Sequence, residues 1–304
     1  MNNNKLIIQG NKPLFGDVKI SGAKNAVLPL ISISLLFSKG FTLKNVPNLL
    51  DTNTMIKLVN ELGVKTEFSN GNITFDGFPK NTLAPEKLVS KMRASFLVLA
   101  PLLAIKHKAI IPMPGGCKIG ERPIDFHIKA LEQLGAKTVY EKNYLKAELP
   151  DKRFIANEIK FSKVSVGATE CALMAATLAY GKTTIHNAAK EPEIVDLGNC
   201  LNKAGAKING LGTNKLEIIG VSNLRPVTYT VIPDRIEAGS FAIIAAITRG
   251  KINILNIKKN DLNVFFKTLR MTNTKVEFYN DCATIEGNPK INSVNIETKP
   301  HPGF

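Results

Sequence analysis

The sequence predicts an α/β protein assembled from repeated βαβαββ units, with apolar helices inside and sheets outside. Three observations carry that prediction. A pentapeptide recurs as Glu61-Leu62-Gly63-Val64-Lys65, Gln133-Leu134-Gly135-Ala136-Lys137 and Lys203-Ala204-Gly205-Ala206-Lys207, with a weaker echo at Thr268-Leu269-Arg270. Self-similarity at a period of roughly 70 residues marks repeated structural units. Before each recurrence stand an apolar helix-length run and then an amphipathic one; after it come two strand-like runs joined by a turn signal.

In chain order, each copy opens on a helix that is apolar nearly all round: Ala26 to Phe37, Phe96 to Ile105, Ala172 to Ala179 and Phe241 to Ile247. Such helices demand burial on several sides, so the units must pack these helices together. Short strands precede three of them, at Val18-Lys19-Ile20, Glu158 to Phe161 and Thr228 to Val231. A strand follows each, at Phe41-Thr42-Leu43, Ala109-Ile110-Ile111, Thr184-Ile185 and Ile252-Asn253-Ile254. The second helices place apolar residues at i, i+3, i+4 and i+7, as in Met55, Leu58, Val59 and Leu62, in Leu197, Cys200, Leu201 and Ala204, and in Leu262, Phe265, Phe266 and Leu269. Each copy closes on a hairpin. Asn70-Gly71 is the clearest turn signal, and Asn143, Thr213-Asn214 and Asn280-Asp281 mark the others.

Composition narrows the class. The chain of 304 residues is 44% hydrophobic and 21% charged, a globular profile. Its longest apolar runs fall short of the roughly 18 residues of a membrane span, and the polar start carries no signal-peptide pattern. Four cysteines without C-x-x-C spacing make neither a disulfide framework nor a zinc site, and His107, His127, His186 and His301 lack metal-triad spacing. A cytoplasmic protein with reduced thiols, no metal and no cofactor is expected. The net charge of +15 arises in a chain rich in Lys, Asn and Ile. No basic stripe interleaves with aromatics and there is no Trp, so nucleic-acid binding is not expected. The positive field suits small anionic substrates.

Chemistry concentrates in two places. The second helix of copy two reads His127, Ala130, Leu131 and Leu134, a histidine where the other copies hold Met55, Leu197 and Leu262. Just before it runs Met113-Pro114-Gly115-Gly116-Cys117-Lys118-Ile119-Gly120-Glu121-Arg122-Pro123. A flexible turn with an incidental thiol is the plain alternative. Cys171, Cys200 and Cys282 sit in packing positions, whereas Cys117 stands on a Gly-rich loop where Lys118 and Arg122 would lower its pKa and suit it as proton donor or nucleophile. The second place is the starts of the first helices: Ser21-Gly22-Ala23-Lys24-Asn25, Lys91-Met92-Arg93-Ala94-Ser95 and Ser165-Val166-Gly167-Ala168-Thr169. Helix N-termini bind anions, and Lys24 and Arg93 add full charges. N-capping by Ser165 and Thr169 is the bland account of the third start; it leaves Lys24-Asn25 unexplained.

These motifs, with Val166-Gly167-Ala168-Thr169-Glu170, Glu191-Pro192-Glu193-Ile194 and Pro233-Asp234-Arg235-Ile236-Glu237, resemble the signatures of the UDP-N-acetylglucosamine 1-carboxyvinyltransferase family, collinearly along the chain. The resemblance implies a two-domain enolpyruvyl-transferase-like fold, an inside-out α/β barrel of βαβαββ units. Residues 22–229 would form a complete domain of three units, and 1–21 with 230–304 an incomplete second domain holding one unit of three. It implies transfer of enolpyruvate from phosphoenolpyruvate to the 3′-hydroxyl of UDP-N-acetylglucosamine, with release of phosphate, as the first committed step of peptidoglycan synthesis. Cys117 matches the family's proton donor, which also forms a covalent adduct with phosphoenolpyruvate. Lys24, Asn25 and Arg122 match its phosphoenolpyruvate ligands. Asn25, Arg93, Arg122, Pro123, Ile124, Asp125, Phe126, His127, Lys163, Val164, Ser165 and Val166 match its UDP-sugar contacts.

Departures from the family pattern also bear on function. The stretch Ile296 to Phe304 reads as a linker entering another unit, and the family's base aspartate and a C-terminal arginine fall beyond Phe304. Met271-Thr272-Asn273 replaces the Leu-Gly turn in copy four. The resemblance thus implies a C-terminally truncated chain that binds UDP-sugar weakly and turns over little alone. A complementary C-terminal fragment is a possible partner, and an inactive or split-gene fragment is the alternative.

Overall fold

The computed structural model describes residues 5, 7–10, 12–113 and 124–303. Two compact units divide the chain: Gly22–Ile232, and Met1–Ser21 together with Pro233–Phe304.

In the unit Gly22–Ile232 the three copies each carry a sheet. The first is ordered Val227–Thr230, Phe41–Lys44, Asn72–Asp76, Lys65–Ser69. The second is ordered Lys108–Pro112, Tyr144–Glu148, Lys137–Glu141, and is extended by a single parallel bridge from Leu83 to Ile110. The third is ordered Lys207–Asn209, Lys215–Ile219, Lys182–His186, Glu158–Lys160. Burial alternates along the strands, as in Asn72–Asp76 where Ile73 and Phe75 are buried and their neighbours exposed, so each sheet turns one face outward. Asn70 and Gly71 both take positive φ, 50° and 71°, the requirement of the tight hairpin turn that their sequence announces.

The first helices lie in the middle. In Lys24–Ser32 and the 3₁₀ turn Ile33–Leu36 that continues it, every residue from Ala26 onward is buried. Helix Val166–Thr177 is buried without a break from Ala168 to Thr177 and packs on helix Leu99–Lys106. Copy two enters its helix through a 3₁₀ stretch, Arg93–Val98. The second helices are Leu50–Glu61, Asp125–Gln133 and Pro192–Lys203.

Two leading strands belong elsewhere than their sequence neighbours suggest. The strand over Val18 to Ile20, expected to lead copy one, is Phe15–Lys19, and it pairs in parallel with Lys251–Leu255 of copy four. The strand expected to lead copy four is Val227–Thr230, and it pairs in parallel with Phe41–Lys44 of copy one. Parallel partners are joined by crossovers, so a strand's neighbour in the sheet is not fixed by the helix beside it in sequence.

In the other unit, one sheet runs Phe15–Lys19, Lys251–Leu255, Cys282–Glu286, Lys275–Tyr279. Its first helix, Arg235–Thr248, starts earlier than the apolar run from Phe241 because Asp234 caps it, accepting from the N–H groups of Ile236 at 2.8 Å and Glu237 at 3.1 Å. The Ser21 hydroxyl donates to the Glu237 carboxylate. Burial on several sides, expected of all four first helices, fails here. Ala238, Ala242, Ala245 and Ala246 face the unit's own core, while Ile236, Ile243 and Ile247 are 53%, 45% and 64% exposed.

Candidate functional site

The starts of all three first helices in the unit Gly22–Ile232 line one cavity of about 400 Å³. Lys24 and Asn25 come from the first helix of copy one, Arg93 from the 3₁₀ entry of copy two, and Gly167 and Glu170 from the opening turns of copy three. Lys91 just before Arg93, Asp51 from helix Leu50–Glu61 and His127 from the second helix of copy two complete the polar wall, with Met92, Phe96, Leu97 and Ile124 among the apolar lining. Neither Ala23 nor Met92, the residues preceding the first two starts, offers a side-chain cap. The Ala23 N–H donates instead to the Ile232 carbonyl at 2.8 Å, and both starts turn the positive ends of their helices to the cavity.

Lys24 Nζ lies 3.1 Å from the Asp51 carboxylate, both side chains being partly exposed. His127 is buried, its ring edge-on to Phe96 with centroids 5.8 Å apart. Burial, helped by the Arg93 guanidinium, lowers its pKa to about 4, so the imidazole is neutral at neutral pH. The Asp125 carboxylate and a hydrogen bond with the Ile124 backbone oppose that shift without outweighing it. The ring lies flush against Gly167, where a Cβ would stand 2.7 Å from Nε2, so any side chain here would force the ring or the helix start to shift. Glu170 is buried too, and burial beside Glu193 and Glu191 drives its carboxyl well above the usual range, towards the neutral acid.

Of the residues expected at the site, Lys24, Asn25, Arg93, Ile124 and His127 meet at this cavity. Asp125 begins the His127 helix and sits 3.8 Å from Lys129, while Phe126 packs on Phe161 with centroids 6.3 Å apart. Neither lines the cavity. Lys163 and Val164 are exposed on the approach to helix Val166–Thr177, and Val166 packs partly against the core. Ser165 caps that helix, accepting from the Ala168 N–H at 3.4 Å. Thr169 is no cap: it is buried, donates to the Ser165 carbonyl at 2.8 Å and accepts from the Ala189 N–H at 3.1 Å. Cys117, Arg122 and Pro123 lie outside the described residues. Burial raises the thiol pKa of Cys171 and Cys200, and that of Cys282 is raised as well, so none of the three described cysteines is activated.

Sequence reasoning missed Asp51 and Glu170 as lining residues. Asp51 carries a faint signal, an acid in the first turn of its helix. Glu170 carries the clearer signal, a lone charge in an otherwise apolar helix, of the kind that His127 gives.

Fold and site together define an α/β protein of repeated units in which three helix starts and two of their cations meet at one anion-suited cavity. The family model described as EPSP synthase (3-phosphoshikimate 1-carboxyvinyltransferase) matches residues 8–304. The enolpyruvyl transferase NikO from Streptomyces tendae shares the fold at a TM-score of 0.85 and 20% identity, over 97% of this chain and 71% of its own. EPSP synthase from Acinetobacter baumannii aligns at a TM-score of 0.70 and 18% identity, over 92% of this chain and 65% of its own. In sequence, the UDP-N-acetylglucosamine 1-carboxyvinyltransferase of Novosphingobium aromaticivorans is 45% identical over 99% of this chain and 72% of its own length. UDP-N-acetylglucosamine 1-carboxyvinyltransferase 1 of Caldanaerobacter subterraneus subsp. tengcongensis gives the same figures. The chain belongs to the UDP-N-acetylglucosamine 1-carboxyvinyltransferase family.

Proposed function

We propose that this chain transfers enolpyruvate from phosphoenolpyruvate to the 3′-hydroxyl of UDP-N-acetylglucosamine, releasing phosphate, as the opening step of peptidoglycan synthesis in the cytoplasm. One observation carries the reading beyond family membership: three helix starts and the cations Lys24 and Arg93 line one cavity. Such a site suits ligands bearing phosphate and carboxylate.

In the addition step, the sugar hydroxyl oxygen bonds to C2 of phosphoenolpyruvate as its proton passes to a general base, while C3 takes a proton from the Cys117 thiol and leaves the thiolate. In the elimination step, the Cys117 thiolate takes a proton back from C3, the double bond re-forms, the C2–O bond breaks, and phosphate leaves with the proton held by the base. Lys24, Asn25 and Arg122 hold the phosphoenolpyruvate anion. Asn25, Arg93, the segment from Arg122 to His127 and the segment from Lys163 to Val166 hold the nucleotide sugar. His127, neutral and buried, contributes shape and a hydrogen-bonding nitrogen and leaves the positive charge to Arg93.

Intact-mass measurement after incubation with phosphoenolpyruvate tests this. An adduct on Cys117, absent from Cys117→Ser, is expected; labelling that persists in that variant overturns the assignment.

A second reading is favoured by the exposed Ile236, Ile243 and Ile247 of helix Arg235–Thr248. The chain then works with a complementary C-terminal polypeptide that covers this face, and is inactive or nearly so without it. Phosphate release by the 304-residue chain alone, in the presence of both substrates, decides between the two. Turnover near that of a complete relative removes the second reading.

A further inference from the structure

Helices Leu50–Glu61 and Pro192–Lys203 occupy the same place in copies one and three, are both twelve residues long, and carry an acid as their second residue, Asp51 and Glu193. The slot explains the acid, because a carboxylate in the first turn faces the positive end of its own helix. The surroundings differ. Glu193 is buried and adds its charge to that of Glu191 beside the Glu170 carboxyl, whereas Asp51 stands on the wall of the cavity with Lys24 Nζ at 3.1 Å. Lys24, in turn, is the first residue of a helix, where the macrodipole disfavours a cation. The pair is too exposed, at 45% and 34%, to matter much to folding. Its position on the cavity wall points to ligand binding instead.

We propose that Asp51 is the resident counter-ion of Lys24: it holds the ammonium at the cavity while the site is empty and competes for it with the anionic end of the incoming ligand, so that it sets the site's affinity. This rests on the reading of Lys24 as a ligand of phosphoenolpyruvate. Asp51 is thus a positioning residue, and it acts through Lys24. Removing the competing carboxylate strengthens anion binding, the opposite of what loss of a structural contact does.

The test is calorimetric titration of the full chain with inorganic phosphate and with phosphoenolpyruvate at fixed salt. Asp51→Asn is expected to tighten both by roughly two- to fivefold, the scale of one partly exposed ion pair. Asp51→Glu restores the wild-type affinity, and in a Lys24→Gln background Asp51→Asn has no effect. Asp51→Ser is measured in parallel, should the Asn variant fold poorly. Unchanged or weaker binding in the Asp51 variants overturns the proposal, as does tightening that survives in the Lys24→Gln background. If Lys24→Gln alone leaves affinity unchanged, the assignment of Lys24 itself falls, and this inference with it. If Lys24→Gln weakens binding while Asp51→Asn does not tighten it, only the inference falls.

Discussion

Replacing Gly167 by alanine sets two known effects against each other. A glycine in a helix ordinarily gains about 1 kcal/mol on becoming alanine. At position 167 the new Cβ would stand 2.7 Å from His127 Nε2 and 3.4 Å from Cε1, the first roughly 1 Å short of ordinary contact. The ring has little room to retreat, being buried with Phe96 against it. Overpacking of this kind costs about 1–3 kcal/mol, so the net is a loss of about 1 kcal/mol. Gly239 supplies the control. It sits inside helix Arg235–Thr248, and its new Cβ would meet only the Phe265 ring at 3.5–3.7 Å, ordinary contact. Gly239→Ala is therefore expected to gain about 0.5–1 kcal/mol. Scanning calorimetry reads both: Gly167→Ala melts a few degrees lower and Gly239→Ala a few degrees higher, at about 2–8 °C per kcal/mol for units of this size. A Gly167→Ala chain that melts as high as, or higher than, the wild type would refute the close approach of His127.

Three further outcomes follow from the same geometry. With its pKa at about 4 in the native state, against 6.5 when unfolded, His127 lets the unfolded chain take up a proton that the native chain refuses. Stability therefore falls as pH drops from 6.5 towards 4, by up to about 3 kcal/mol, and urea unfolding should show that slope largely lost in His127→Leu. Asp234→Ala removes the cap of helix Arg235–Thr248 and is expected to cost about 1 kcal/mol by the same assay. Ile243→Ser with Ile247→Ser, on the exposed face of that helix, should change stability by less than about 0.5 kcal/mol per site while reducing self-association in sedimentation.

Much of this was legible in the sequence because it is written locally. The first helices announce their burial by having no polar face, and Asn70-Gly71 announces its turn by needing positive φ at both residues. His127 betrayed itself by breaking an apolar slot that its neighbours respect. What stayed hidden depends on pairing across the chain. The strands Phe15–Lys19 and Val227–Thr230 each join a sheet more than 180 residues away in sequence, since they pair with Lys251–Leu255 and Phe41–Lys44. The lining roles of Asp51 and Glu170 exist only because helices from different copies meet at one cavity. The exposed face of helix Arg235–Thr248 was hidden for a related reason: its apolar sequence matches that of the buried helices, and only its packing separates them.

If Lys24 holds the anion on which the Cys117 thiol acts, loss of its charge must slow that reaction. The rate of phosphoenolpyruvate adduct formation, followed by intact mass in the wild type and in Lys24→Gln, tests it most directly. A labelling rate at least about tenfold lower in Lys24→Gln at subsaturating phosphoenolpyruvate is predicted, as befits loss of a charged contact to the anion. Equal rates in the two proteins would contradict it.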